Sequence, residues 1–236
     1  MLEDYFSLQL KLAARYSIAA DVPFCAAIEH CTNLRRRLNL WGPAGASRWT
    51  AFLAEVRRLG QDDAAALSLC IAWHEARPHQ ETSRSFGCFS FDPPDSAGTL
   101  RLHFMPSEGT QTSPLASPNV DARVRELRAL FLHVRRTEGT AACVRGISWL
   151  YNLEAYRRLF PPSYSASVRT PWFPLHLNGS STWGQVLNWR QEVKPTVRDA
   201  VLARLPTMKR DAPWEVFPCK ALVATGRIDA FYELFT

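Results

Sequence analysis

The sequence lacks a run of 18 consecutive apolar residues, a C-x-x-C pair and an internal repeat. The first absence excludes an apolar transmembrane helix, and the second excludes the common spacing of zinc-binding and redox cysteines. The six cysteines lie among apolar neighbours, which predicts reduced thiols, with Cys25, Cys70 and Cys143 buried. Since the N-terminus also lacks a basic and apolar signal pattern, we expect a cytoplasmic bacterial protein with no membrane partner.

Lysine is scarce, because 24 of the 28 basic residues are arginine and only 4 are lysine. A net charge of +6 would suit a nucleic-acid-binding protein, but the arginines are scattered, with Arg35-Arg36-Arg37 as the only triplet. Guanidinium groups also bind phosphate and carboxylate groups. We therefore expect a small-molecule substrate that bears phosphate. Nucleic-acid binding through the arginine surface remains an alternative function.

Two catalytic motifs are missing as well. No G-x-S-x-G surrounds Ser148, so the sequence does not predict a serine hydrolase. The string from His74 to His79 has H-E-x-x-x-H spacing, and Pro78 ends the helix that would align two zinc ligands. We therefore expect no metal cofactor.

The sequence does contain enough apolar material for a large core, since 47% of its 236 residues are hydrophobic. Residues 1–77 show the apolar spacing of helices, and Asp62 begins one that Pro78 ends. Shorter apolar runs and turn clusters follow. We predict an α/β (α+β) protein with a helical N-terminal region, residues 1–80, packed on the mixed β-sheet of a second domain, residues 81–236.

The second domain has a readable order of elements. Residues 86–91 and 99–104 are apolar-rich runs on either side of a turn rich in Pro, Asp and Gly, which predicts a β-hairpin. A polar loop over 106–118 leads to a helix over 119–137 with an apolar stripe. Residues 142–151 form a predicted central strand, followed by a short helix. This order predicts two neighbouring parallel strands joined by a right-handed helical crossover.

Two short sequence motifs occur within these elements. They are Leu102-His103-Phe104-Met105-Pro106 before the loop and Ser148-Trp149-Leu150 in the second strand. With that order, they resemble bacterial acyltransferase-like proteins that have a helical N-terminal domain and a GNAT-like C-terminal domain. The resemblance covers about residues 98–170. It implies a GNAT-like mixed sheet and acyl transfer from an acyl-thioester, acyl-CoA, to a small amine or hydroxyl.

The resemblance also implies where the thioester binds. In GNAT architecture the two central strands splay apart, and the pantetheine arm hydrogen-bonds to the first one like an added strand. This places the arm along Leu102, Phe104 and Met105, and the pyrophosphate at the start of the next helix near Arg123 and Arg125. The loop before that helix has no glycine-rich phosphate motif. Its absence favours the alternative of a non-catalytic member of the fold that binds a ligand or a protein.

Four further residues are candidates for chemistry. His103 lies on the strand face opposite the apolar residues, which suits a general base, although a structural or merely exposed histidine has the same pattern. Tyr151 would donate a proton to the leaving thiolate, or else anchor packing. Trp149 and Tyr156 would line the substrate pocket, or else fill an aromatic core. Because parallel strands open their ligand crevice at their carboxyl ends, His103, Trp149 and Tyr151 are expected to border one cleft with the 107–118 loop.

Overall fold

A computed structural model describes residues 2–60, 62–77, 85–106, 112–172 and 177–236. Within these ranges the chain forms α-helices and a four-stranded mixed β-sheet, which confirms the predicted α+β class. The chain divides into two compact units. The first unit comprises residues 1–80 and 174–220, and the second comprises residues 81–173 and 221–236.

The helices and strands are numbered in chain order. They are α1 (Leu2–Ala20), α2 (Phe24–Cys31), α3 (Leu34–Arg37), α4 (Ala46–Leu59), α5 (Asp63–Glu75), β1 (Phe89–Asp92), β2 (Thr99–Phe104), α6 (Val120–Thr137), β3 (Cys143–Ser148), α7 (Glu154–Arg157), α8 (Pro162–Ala166), α9 (Ser180–Trp183), α10 (Pro195–Arg204), β4 (Leu222–Arg227) and α11 (Ile228–Phe235). None of the helices in the described ranges has the length and apolar character needed to cross a membrane.

The first unit is helical, and its helices share an apolar core. As predicted, Asp62 begins a helix, because its carboxylate accepts a hydrogen bond from the Ala65 N–H at 2.9 Å. Trp183 in α9 is fully buried in this core; its ring meets the Tyr5 ring edge-on at 5.8 Å, and its N–H donates to the Cys31 carbonyl. Residues 174–220 thus complete the first unit, whereas the division expected from the sequence placed them with the sheet.

The sheet of the second unit has the strand order β1-β2-β3-β4. β1 pairs antiparallel with β2, β2 pairs parallel with β3, and β3 pairs antiparallel with β4. The predicted hairpin and the predicted neighbouring parallel strands are therefore both present, and α6 lies between the parallel strands in the chain. Of the predicted loop over 106–118, residues 107–111 lie outside the described residues.

The sheet has two chemically different faces, since strand side chains alternate between them. The inner face packs in the same core as apolar side chains of α6 and α11, and we define it by Leu100, Leu102, Phe104, Val144 and Gly146. The outer face is defined by Arg101, His103, Met105, Arg145 and Ile147. Met105 and Ile147 are 60% and 38% exposed, respectively. The outer face therefore offers polar and apolar groups for contact with other molecules.

β3 is shorter than the sequence predicted. It ends at Ser148, and Trp149–Asn152 form a 3₁₀ turn instead of continuing the strand. The Ser148 hydroxyl starts this turn by accepting a hydrogen bond from the Leu150 N–H at 3.1 Å. The prediction of a strand through Tyr151 was therefore wrong, because a local side-chain cap competes with the strand ladder.

The cysteines are thiols, as predicted. Cys25 and Cys70 are buried, but Cys143 is half-buried. Cys143 starts β3 between its register partners Thr99 and Arg227, on the outer side of the sheet, where the core does not cover it. The prediction that Cys143 is buried was thus wrong.

Candidate functional site

β2 and β3 are paired over only half of their length. The Cα partners are Thr99 with Cys143, Leu100 with Val144, and Arg101 with Arg145. β2 continues to Phe104 and β3 continues to Ser148, but no further pair joins these two described strands. We call this open end, residues 102–104 of β2 and residues 146–148 of β3, the β2–β3 wedge.

One backbone N–H of β2 points into this wedge. The N–H of Met105 donates to the Cys88 carbonyl at 2.9 Å, on the β1 side of β2. Backbone groups of successive strand residues point to alternate sides, so the N–H of Phe104 points towards β3. Because the β2–β3 ladder ends at Arg101, this N–H faces the wedge. A strand-like ligand in the wedge would accept a hydrogen bond from it.

His103 lies at the wedge on the outer face, where it forms a pair with Asp92. The Nε2 atom of His103 is 2.9 Å from Oδ2 of Asp92, and the two side chains are 46% and 58% exposed. Asp92 belongs to β1 and is the register partner of Arg101, so it reaches His103 diagonally across the hairpin. A carboxylate that accepts the Nε2–H leaves Nδ1 as the proton acceptor of a neutral imidazole. This geometry orients a general base on an accessible surface.

Three buried tyrosines lie on the inner side of the wedge. The hydroxyls of Tyr151 and Tyr164 are 2.6 Å apart, and the rings of Tyr151 and Tyr156 are 5.2 Å apart. Burial raises the pKa of all three hydroxyls, and the Tyr164 hydroxyl raises that of Tyr151 further. The tyrosines therefore keep their protons at neutral pH. We call Tyr151, Tyr156 and Tyr164 the tyrosine cluster.

The tyrosine cluster connects the two strands beneath the wedge. The Tyr156 ring meets the Phe104 ring of β2 at 5.4 Å. On the β3 side, Gly146 leaves the space in which the Tyr151 hydroxyl lies, since a β-carbon at Gly146 would be 1.9 Å from that oxygen. Tyr156 is 2% exposed and Trp149 packs partly buried in the same core. Both aromatic residues thus contribute to a packed core, and Tyr156 has almost no surface for a substrate.

Arg123 and Arg125, the cations expected at the phosphate end, lie in different surroundings. Arg123 is 5% exposed, and its guanidinium group donates to the Glu126 carboxylate and, at 2.8 Å, to Sγ of Cys88. The other oxygen of Glu126 accepts the Cys88 N–H at 3.0 Å, so these contacts join α6 to the start of β1. Arg125 is exposed and borders a shallow depression together with Phe86. Of the two, only Arg125 presents its charge to solvent.

The structure brings together some of the expected site residues and separates others. His103 and the backbone of Leu102, Phe104 and Met105 lie at the wedge. Tyr151 lies on the inner face and His103 on the outer face, so the two side chains do not border one cleft.

Two residues of this region were not singled out from the sequence. They are Asp92, which the observed register of the hairpin brings to His103, and Tyr164, for which the sequence carries no signal.

Within the described ranges there is no group of three His, Cys, Asp or Glu side chains arranged to hold a metal ion. Comparisons of the chain with protein-family models, with curated proteins and with solved structures find no match. Any functional conclusion therefore depends on the chemistry of the residues themselves.

Proposed function

We propose that the second unit binds an acyl-thioester, such as acyl-CoA, in the β2–β3 wedge and transfers the acyl group to a small amine or hydroxyl. The observation that carries this proposal is the early end of the β2–β3 ladder, beyond which the N–H of Phe104 faces the wedge. Beyond Arg101 the described residues of the two strands form no further register pair, so backbone groups at this end are left for a strand-like partner. Strand addition is the recognition mode that uses such groups.

The residues of the wedge fit the pantetheine arm of an acyl-thioester. This arm carries two amide groups in an extended chain, so it can pair with a strand as a peptide does. The Leu102 N–H is taken by the last pair of the ladder, so the groups of β2 that face the wedge are the Leu102 carbonyl and the Phe104 N–H. Met105 adds an exposed apolar side chain next to them. We assign the phosphate groups of the thioester to Arg125, which is exposed, because the guanidinium group of Arg123 is paired with the Glu126 carboxylate.

His103 is the proposed base. Nδ1 of His103 takes the proton of the attacking amine or hydroxyl, and Asp92 stabilises the resulting imidazolium through its hydrogen bond to Nε2. A bond forms between the acceptor atom and the acyl carbon, and the carbon–sulfur bond breaks. The imidazolium then returns its proton to the departing sulfur. Tyr151 has no part in this proposal, since its hydroxyl is buried and bonded to Tyr164.

Amide hydrogen exchange tests the binding site directly. In ¹⁵N-labelled protein, the N–H of Phe104 is expected to exchange rapidly alone and to become protected at saturating acetyl-CoA. The N–H of Met105 is the matched control, because its bond to the Cys88 carbonyl protects it in both states. If exchange at Phe104 is the same with and without acetyl-CoA, the wedge is not the binding site.

Turnover tests the role of His103. With acetyl-CoA and a panel of small amines and alcohols, His103→Gln is expected to slow product formation by about 10²- to 10⁴-fold. Asp92→Asn should slow it by about 10- to 100-fold through the lost charged hydrogen bond. Asp229→Asn is the control, since Asp229 is also 58% exposed and paired, with Arg227. Thioester binding without turnover of any acceptor would instead support the non-catalytic alternative.

A further inference from the structure

The first unit contains a cavity that takes no part in the proposed acyl transfer. Its volume is about 410 Å³, within the range of small-molecule sites of about 300–1,000 Å³. Polar and aromatic side chains line it together, among them Glu29, His30, Arg35, Trp41 and Trp49. A cavity of this size and mixed lining has room for a ligand with one or two rings and a polar group.

The aromatic wall of the cavity has an exposed part. Trp49 is 3% exposed, and its N–H donates to the Glu29 carboxylate at 2.9 Å, so it is fixed in place. Trp41 is 49% exposed beside the same cavity. A flat ligand that covered the exposed part of Trp41 would remove apolar surface from water on both partners.

Arg35 provides an oriented cation in this cavity. Its guanidinium carbon lies 5.6 Å from the Trp41 ring centroid and 5.9 Å from that of Trp49, and its Nε donates to the Leu40 carbonyl at 3.0 Å. These contacts hold the planar group in one orientation. Among the described residues no carboxylate forms an ion pair with Arg35, and its two Nη groups have no hydrogen-bond acceptor. The two Nη groups are therefore available to an anion, which a guanidinium group can bind through two parallel bonds.

The neighbouring charges favour a single negative charge on the ligand. The guanidinium group of Arg36 lies 4.0 Å from the Trp41 ring centroid and adds positive charge near the cavity. The exposed Glu29 carboxylate lines the same cavity and repels anions. The charges of Arg35, Arg36 and Glu29 sum to +1, which a monoanionic carboxylate neutralises, whereas a dianion such as a phosphate monoester leaves an excess negative charge beside Glu29.

We propose that this cavity binds a small planar aromatic carboxylate. The carboxylate accepts hydrogen bonds from the Nη groups of Arg35, and the ring packs on the exposed part of Trp41. Both contacts are needed, because an exposed hydrogen-bonded anion alone binds weakly in water and a ring alone leaves the guanidinium group without an acceptor.

Three naphthalene probes test this on the wild-type chain by titration calorimetry and saturation-transfer NMR. The probes are 2-naphthoate, the neutral 2-naphthylmethanol and the dianionic 2-naphthyl phosphate. We expect 2-naphthoate to bind about 10- to 100-fold more tightly than 2-naphthylmethanol, the contribution of hydrogen bonds to a charged group. Equal affinity of these two would overturn the role of Arg35. Tighter binding of 2-naphthyl phosphate would overturn the assignment to a carboxylate, and no binding of 2-naphthoate would overturn the site.

Two substitutions locate the probe, with folding checked by circular dichroism. Arg35→Gln should weaken 2-naphthoate by about 10- to 100-fold and leave 2-naphthylmethanol unchanged. Its control is Arg58→Gln, since Arg58 is exposed and its Nε also donates to a backbone carbonyl. Trp41→Ala should weaken both probes, whereas Trp172→Ala, which removes an 89% exposed tryptophan of the second unit, should weaken neither. If both Arg35→Gln and Trp41→Ala bind 2-naphthoate with the wild-type affinity, the probe binds elsewhere. If a variant fails to fold, the comparison of the three probes on the wild-type chain still decides the question.

Discussion

Gly146→Ala is expected to destabilise the second unit strongly. The added β-carbon would lie 1.9 Å from the Tyr151 hydroxyl and 2.7 Å from the Tyr164 hydroxyl, both buried against β3. Overpacking costs about 1–3 kcal/mol, and displacing the hydroxyls from their 2.6 Å hydrogen bond adds about 1–3 kcal/mol. The lower entropy of the unfolded Ala chain offsets about 0.4–1 kcal/mol of this. The net loss in free energy of unfolding is therefore about 1–5.6 kcal/mol.

The matched control for this substitution is Gly139→Ala. A β-carbon at Gly139 meets nothing within 4 Å, so this variant should be unchanged or stabilised by up to about 1 kcal/mol. Urea unfolding followed by circular dichroism measures both variants. Because a chain of two compact units can unfold in more than one step, amide exchange of β3 then assigns the loss to the second unit.

A second substitution separates a contact with Tyr151 from a general intolerance of side chains in β3. Tyr151→Phe removes the oxygen nearest to the added β-carbon, so Gly146→Ala should cost less in the Tyr151→Phe background than in the wild type. If Gly146→Ala unfolds at the same urea concentration as Gly139→Ala, the hydroxyls do not lie against Gly146. The connection between the strands beneath the wedge would then be refuted.

Three further predictions follow from the contacts and the pKa directions. Tyr164→Phe should lower the free energy of unfolding by about 1–3 kcal/mol, because it leaves the Tyr151 hydroxyl buried without its partner, and an unchanged urea midpoint would contradict this. Burial raises the pKa of the Cys70 thiol to about 12, so iodoacetamide at pH 8 should alkylate the half-buried Cys219 well before Cys70; equal rates by mass spectrometry would disprove that burial. Desolvation, together with the charges of Arg77 and Arg37, lowers the pKa of His74 from 6.5 to about 4 in the folded chain. As the pH falls, the unfolded chain therefore takes up this proton at a higher pH than the folded chain does. The free energy of unfolding should decrease between about pH 6.5 and pH 4. His74→Gln should reduce this pH dependence in urea unfolding, and a variant with the wild-type dependence would exclude His74 as its source.

Local patterns in the sequence determine the order of elements in the second unit. Three such patterns are the alternation in Thr99–Phe104, the helical stripe of α6 and the apolar run that begins at Cys143. Each can be recognised from residues that are close together in the sequence. The parallel crossover then follows from chain handedness, which holds for any sequence with these elements. His103 was placed on the outer face by the same alternation.

Only the tertiary structure decides which side chains meet. The sequence does not show that the β2–β3 ladder stops at Arg101, that Asp92 is the partner of His103, or that Arg123 is committed to Glu126. It also does not show that the Tyr151 hydroxyl lies against Gly146. The strand contacts depend on register, and the Arg123–Glu126 pair on one helix depends on its packing against the distant Cys88. Such contacts of about 1 kcal/mol compete with one another and leave no periodic trace in the sequence. Periodicity therefore specifies faces and elements, whereas the partners of each functional group are chosen by the packing of the folded chain.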